Sequence, residues 1–238
     1  INIFERPQEG HTYICTVDVA KGRGMDFSTF NIIDVSSKPF KQVATYRDSM
    51  ISPMLFPDIL NKYCLPYNEA LIIIENNNEG SMVATQLHYD LEYPNVFTQG
   101  LLKAEDIGVT MNRRIKRVGC STLKEILEEQ RLQLRDRYTI TELMTFVNKG
   151  NSFEADRGYH DDMVMTLVLF GWFITTEFFY HLTDTAVKDL LYAEAQRELE
   201  DDLLPAGVFG GQREKMEESF VDKEGDRWFV DKEHTINN

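Results

Sequence analysis

Apolar and polar positions alternate over residues 12–19 (TYICTVDV), with β-branched and aromatic side chains on the apolar positions, and predict a strand ending near Asp18. A glycine-bearing turn, KGRGMD, follows it. Residues 28–35 (STFNIIDV) and 40–46 (FKQVATY) read as two more strands on either side of SSKP, a turn composition, so a three-stranded antiparallel meander is expected. Proline opens a short helix over 53–64. The run ALIIIE at 70–75 is apolar without a break, as in a strand covered on both faces, and 79–91 reads as a helix.

Further along, Thr122-x-x-Glu125 has capping-box spacing and predicts an amphipathic helix to about Leu134. A helix over 141–147, a glycine-bearing loop over 148–160 and a long apolar helix from about Asp161 come next. An acidic amphipathic helix over 186–202 precedes a Gly-rich, then charged tail from Pro205, in which Trp228-Phe229-Val230 reads as a docking strand. No internal repeat is visible. The order β-β-β-α-β-α with a late helix predicts an α/β fold with a mixed sheet.

Composition bounds the class. The chain has 238 residues, 42% of them hydrophobic, which is ordinary for a globular protein able to bury a full core. The longest apolar stretch, Met163 to Leu182, is interrupted by Thr166, Thr175, Thr176, Glu177 and His181, and reads as a buried helix rather than a membrane span. Cys15, Cys64 and Cys120 are odd in number and widely spaced, which fits a reducing compartment and no zinc. The first residue is Ile and no leader pattern precedes the first strand, so a piece excised from a longer chain is expected.

The net charge is −14, but it is unevenly spread. Residues 184–238 hold 15 acidic and 7 basic side chains. Between Leu101 and Arg137 the balance reverses to 9 basic against 6 acidic, and Arg113, Arg114, Lys116 and Arg117 sit in a stretch (109–119) with no acid. Such a patch on an acidic protein suits a groove that tracks phosphates; a solvated loop with a few arginines would look the same.

Three acidic positions are set against apolar sequence: Asp18 in ICTVDVA, Glu75 ending LIIIE, and Asp161-Asp162 opening an apolar helix. An ionised carboxylate beside a core costs on the order of several kcal/mol unless a cation compensates it. Two strand ends and a helix start can meet at a sheet edge. Carboxylates gathered without His or Cys at zinc spacing suit hard ions such as Mg²⁺ or Mn²⁺, and a pair of ions supports phosphodiester hydrolysis. Each acid also has a plainer reading, as a turn cap or helix N-cap.

The combination VDVAKGRGMDFSTFNIIDV, LIIIENNNEG and GYHDDMVMTLVLFGW, in that order, resembles the C-terminal nuclease domain of the large terminase subunit of tailed bacteriophages, the T-even type most of all. The resemblance covers about residues 10–182. It implies an RNase H-like (RuvC-like) fold, with three antiparallel strands first and helices on both faces. The implied activity is a Mg²⁺-dependent endodeoxyribonuclease that cuts concatemeric viral DNA when packaging starts and when the head is full. On this resemblance Asp18, Glu75 and Asp161 or Asp162 hold two Mg²⁺ ions, with Mn²⁺ able to substitute. Asp26 stands near the metals or caps a turn; His160 orients a phosphate or water, or is a satisfied loop histidine. Arg113, Arg114, Lys116 and Arg117 are implied backbone contacts to DNA.

The implied partners are double-stranded viral DNA, an N-terminal ATPase domain of the same full-length chain, the portal protein and the small terminase subunit, with no membrane, in host cytoplasm at the prohead. Residues 1–10 then read as the linker from the ATPase half, 11–204 as the nuclease and 205–238 as an acidic tail. No G-x-x-x-x-G-K-[ST] is present, so ATP hydrolysis is not expected of these residues. The competing readings are a resolvase- or transposase-like nuclease of the same superfamily, a noncatalytic portal-docking module, and a two-carboxylate glycosidase, which the element order and basic patch disfavour.

Overall fold

The computed structural model describes residues 1–99, 107–150 and 152–184, and the backbone of 219–221 and 227–229. The elements in chain order are β1 (Asn2–Ile3), β2 (Tyr13–Asp18), β3 (Ser28–Asp34), β4 (Phe40–Asp48), α1 (Phe56–Cys64), β5 (Leu71–Ile74) and α2 (Glu79–Thr85), which a π-helical turn, Gln86–Asp90, continues. There follow α3 (Arg113–Glu128), β6 (Leu132–Gln133), α4 (Arg137–Thr145), β7 (Phe146–Lys149), β8 (Ser152–Ala155), α5 (Asp162–Phe173) and α6 (Glu177–Asp184). A second unit, residues 193–238, contains the antiparallel hairpin β9 (Ser219–Val221) and β10 (Arg227–Phe229). The helix expected over 186–202, most of the tail, and Val230 of the expected docking strand lie outside the described residues.

The meander forms as expected, and the sheet order is β1-β4-β3-β2-β5, with β6 also paired to β4. β2 is antiparallel to β3 and parallel to β5, so the sheet is mixed. Strand parity divides the core into two layers. Tyr13, Cys15 and Val17 of β2, with Ile72 and Ile74 of β5, pack against Phe56 and Leu60 of α1 and Val83 and Ala84 of α2. Ile14, Leu71 and Ile73 point the other way, onto Leu123 of α3 and Val164, Leu167 and Val168 of α5. The same period of two carries Asp18 and Glu75 to the α3–α5 face.

α5 is apolar all round because it is buried all round: every residue from Met163 to Gly171 is buried. It packs most closely on α3. A Cβ on Gly119 would stand 2.1 Å from the Val168 carbonyl oxygen, and one on Gly171 would stand 2.6 Å from that of Gly119. Two glycines therefore let the helix backbones touch. No single helix among the described residues is long and apolar enough to cross a membrane.

Three expectations are corrected. The helix predicted to open at Thr122 begins at Arg113, capped by the Asn112 side chain, which accepts from the Arg114 and Ile115 N–H groups at 2.9 and 3.0 Å. It starts early because the apolar stripe Ile115, Gly119, Cys120, Leu123 and Ile126 that packs on α5 begins ahead of the capping box, and it ends at Glu128, just before Gln130 turns into the left-handed region at φ 56°. The loop expected at 148–160 contributes part of the hairpin β7–β8, with Phe146 and Phe153 stacked at 6.4 Å on its inner side. The long apolar helix breaks after Phe173 and turns by 79°. There Thr175 and Thr176 donate their hydroxyls to the Trp172 and Phe173 carbonyls at 2.7 and 2.6 Å, closing α5.

Candidate active site

The parallel pairing of β2 with β5 ends at Val17 opposite Ile74, and the Glu75 N–H donates to the Val17 carbonyl at 3.0 Å. Asp18 and Glu75 thus follow one another in register at the strand ends, on the face that α5 covers. Burial, then the charge of Glu75, then that of Asp162, with Asp161 adding further, hold the Asp18 carboxyl well above the usual carboxylate range. Four acids from three distant chain segments therefore share one neighbourhood.

Each acid is held differently. Glu75 is raised by burial, against the Asn77 amide, which donates to its Oε1 at 2.8 Å, and the nearby Lys116 ammonium. Asn77 also donates to the Met111 carbonyl at 3.3 Å, tying the loop after β5 to the segment before α3. Gly80 permits that loop: a Cβ there would fall 1.8 Å from the Glu75 carbonyl oxygen. The Asp161 carboxylate accepts from the Ala155 N–H at 3.1 Å and does not cap α5. Asp162 is pushed up to about 6, by burial first and then by Glu142, with Asp26 adding to the rise and the Phe27 N–H and His160 opposing it. Its Oδ2 is buried without a hydrogen-bond partner, 3.5 Å from His160 Nδ1. His160 meets the Phe27 ring edge-on at 5.1 Å, and Asp26 is exposed.

Two residues at this site carried no signal in the sequence. Glu142 of α4 is buried, and its Oε2 accepts from the Met163 N–H at 2.8 Å. Arg47 of β4 lies 3.4 Å from Glu142 Oε1, with its guanidinium 3.2 Å from the Phe27 ring centroid. Asn77, which the sequence reading also left without a role, does have a local signal in the polar run NNN that follows the aliphatic strand.

A chain of buried amides and hydroxyls supports the start of α5 from below. Thr29 Oγ1 donates to the Asp162 carbonyl at 3.1 Å, Asn31 to the Met163 carbonyl at 3.4 Å, and Gln42 to Asn31 Oδ1 at 2.6 Å. These polar residues occupy strand positions where a buried sheet would ordinarily carry aliphatics, and each has a partner.

The carboxylates are oxygen-only donors, and Asp162 Oδ2 is buried with no hydrogen-bond partner, so the donor set fits a hard divalent ion. Among the described residues no three His, Cys, Asp or Glu side chains form a ready-made metal cage.

Of the basic residues, Arg113, Arg114 and Arg117 are exposed on the first turns of α3, while Lys116 is half-buried beside Glu75. A helix start already carries partial positive charge, so cations there strengthen an anion-attracting surface rather than stabilise the helix. A cavity of about 500 Å³ lies elsewhere: it is lined by Tyr13 and Leu71, at the opposite ends of the strands that lead to Asp18 and Glu75.

The family described as the terminase RNase H-like domain matches residues 15–171, an interval that includes all four acids and the start of α3. The chain belongs to this family. The fold is likewise that of solved large-terminase nucleases. The large terminase nuclease from thermophilic phage G20c, solved with bound magnesium, matches at 18% identity with a TM-score of 0.58, over 70% of this chain and 84% of that one. The large terminase nuclease domain of Thermus phage P74-26 matches at 17% identity and a TM-score of 0.56, over 70% and 82%. The large terminase of another thermophilic bacteriophage matches at 12% identity and a TM-score of 0.52; 71% of this chain covers 41% of that longer protein. The G20c nuclease has also been solved with cobalt and with zinc.

Proposed function

We propose that this terminase-family domain is a divalent-metal-dependent DNA endonuclease that cuts concatemeric viral DNA at the start and end of packaging. The observation that carries the reading is the register of β2 with β5, which sets Asp18 beside Glu75 at the strand ends, where burial first and then the charges of Glu75, Asp162 and Asp161 raise the Asp18 carboxyl. A pocket that gathers acids at a cost to their ionisation makes sense where cations take up the charge. Membership in the terminase RNase H-like family and the magnesium bound by the G20c nuclease support Mg²⁺, with Mn²⁺ as a substitute.

Asp18, Glu75 and one or both of Asp161 and Asp162 would hold two ions. Bound there, divalent ions supply Lewis acidity to an attacking water and to the leaving 3′ oxygen. The chain's own residues do the rest. Arg113, Arg114 and Arg117 take successive phosphates, and Lys116 stands between that phosphate track and Glu75. His160 orients the scissile phosphate or a water from the Asp162 side, while exposed Asp26 contributes charge at the rim.

With no base-reading motif in view, weak sequence preference and strong salt dependence follow. The full-length protein would join this domain through residues 1–10 to an ATPase half and work with the portal and small subunit at the prohead in host cytoplasm. The acidic tail from Pro205 offers a docking segment.

Plasmid cleavage with Mg²⁺ or Mn²⁺ tests the reading. Wild type nicks and linearises; Asp18→Asn and Glu75→Gln bind DNA without cutting it. Cleavage that persists in EDTA, or in Asp18→Asn at the wild-type rate, overturns it. A preference for branched over linear DNA would point to a resolvase-like enzyme instead.

A further inference from the structure

The start of α5 lacks the cap its sequence offers. Asp161 stands at the N-cap position and Asp162 in the first turn, yet neither side chain caps the helix. The exposed-donor problem is solved from outside: Glu142 Oε2, from α4, accepts from the Met163 N–H at 2.8 Å and lies 3.4 Å from the Val164 nitrogen. Asp161 bonds sideways to the Ala155 N–H, and Asp162 keeps a buried oxygen with no hydrogen-bond partner.

A carboxylate that caps its own helix folds back over the first N–H groups and cannot also face across the sheet to Asp18. Moving the cap to another element removes that competition.

Glu142 is in turn anchored. Its side chain is 7% exposed, and Oε1 faces Arg47 Nε at 3.4 Å. Arg47 lies against the Phe27 ring at 3.2 Å and the Tyr138 ring at 5.2 Å. Phe27 in turn touches His160, which stands beside Asp162. The clamp runs from β4 through α4 to the first turn of α5, and through Phe27 and His160 it also reaches the Asp162 carboxylate.

We propose that Glu142, held by Arg47, is a positioning residue: it caps α5 in place of Asp161 and Asp162 and so keeps those carboxylates off the helix N–H groups, where they can turn toward cations. The inference rests on the metal-nuclease reading above. Glu142 touches neither metal nor DNA in this role; it acts through the backbone of Met163. Outer partners of this kind, when removed, cost metal sites roughly 10- to 100-fold in affinity or activity.

Two variants separate reach from charge. Glu142→Gln keeps an oxygen long enough for the Met163 N–H and loses the charge. Glu142→Asp keeps the charge and, one methylene shorter, withdraws from the helix. Mn²⁺ binding by calorimetry and metal-titrated plasmid cleavage are measured on both, beside wild type and Asp18→Asn, with DNA affinity in EDTA as the reference. Glu142→Asp should bind Mn²⁺ roughly 10- to 100-fold more weakly and need that much more metal for half-maximal cleavage, at unchanged DNA affinity. Glu142→Gln should stay close to wild type on both measures. The inference falls if Glu142→Asp binds Mn²⁺ as wild type does, or if Glu142→Gln loses as much as Glu142→Asp. Asp18→Asn keeps the two claims apart: if it still cleaves, the nuclease reading has failed, whatever the Glu142 variants do.

Discussion

Asp18 and Glu75 follow the last paired residues of two adjacent parallel strands, joined by the Glu75 N–H to Val17 carbonyl bond of 3.0 Å, and both face α5. The closeness of their backbones is built into the sheet register and cannot be lost without unzipping β5. That rigidity explains why the chain keeps its acids together at a cost.

Removing one of these charges should therefore stabilise the metal-free protein. Asp18→Asn is expected to raise the melting temperature in EDTA at neutral pH and to lose most of the stabilisation that Mn²⁺ gives wild type. Differential scanning calorimetry with and without Mn²⁺ reads both effects; an unchanged or lowered melting temperature in EDTA would contradict the repulsion argument.

The pH dependence has a definite sign. Asp162 titrates near 6 in the folded protein against an ordinary value of 3.8, and Asp18 and Glu75 are raised too. Between those limits the native state holds more protons than the unfolded chain, so the acids' contribution makes stability fall as pH rises through that window. Urea midpoints in EDTA should be lower at pH 7 than at pH 5.5, and Asp162→Asn should shrink the difference. Metal affinity should run the other way, tightening as pH rises and the carboxylates ionise.

The basic helix start should split by burial. Alanine at Arg113, Arg114 or Arg117 is expected to weaken DNA binding and to flatten the slope of log affinity against log salt by roughly 0.7–0.9 for each phosphate no longer neutralised, with cleavage at saturating DNA little changed. Lys116→Ala should also lower the maximal rate, because Lys116 lies beside Glu75. Filter binding across a salt series, paired with single-turnover cleavage, separates the two.

The α3–α5 packing should tolerate no added atom at Gly119. Alanine there would bring its Cβ to 2.1 Å from the Val168 carbonyl oxygen, forcing the helices apart. A destabilisation of roughly 1–3 kcal/mol is expected from overpacking, with reduced cleavage because Lys116 and the start of α5 move with their helices. Chemical denaturation measures it; a wild-type midpoint would show that the helices can separate freely.

β2 was legible from its alternation, β3 and β4 from their β-rich composition on either side of a turn, and β5 from its unbroken aliphatic run, whereas the two-residue strands β1 and β6 and the hairpin β7–β8 carried no such local pattern. The sequence also picked out Asp161-Asp162, since acids opening an otherwise apolar helix are conspicuous. It misplaced the start of α3, because Thr122 and Glu125 make a plausible cap, while the stripe from Ile115 that packs on α5 is recognised only once α5 is there to receive it. Glu142 lay in TELM with nothing to distinguish it from a surface acid. Local order along the chain determined which residues could form strands, helices and turns. Only the tertiary structure decided which acid caps α5 and which acids face Asp18, because those assignments depend on backbone groups and charges that chain folding brings together from far apart in the sequence.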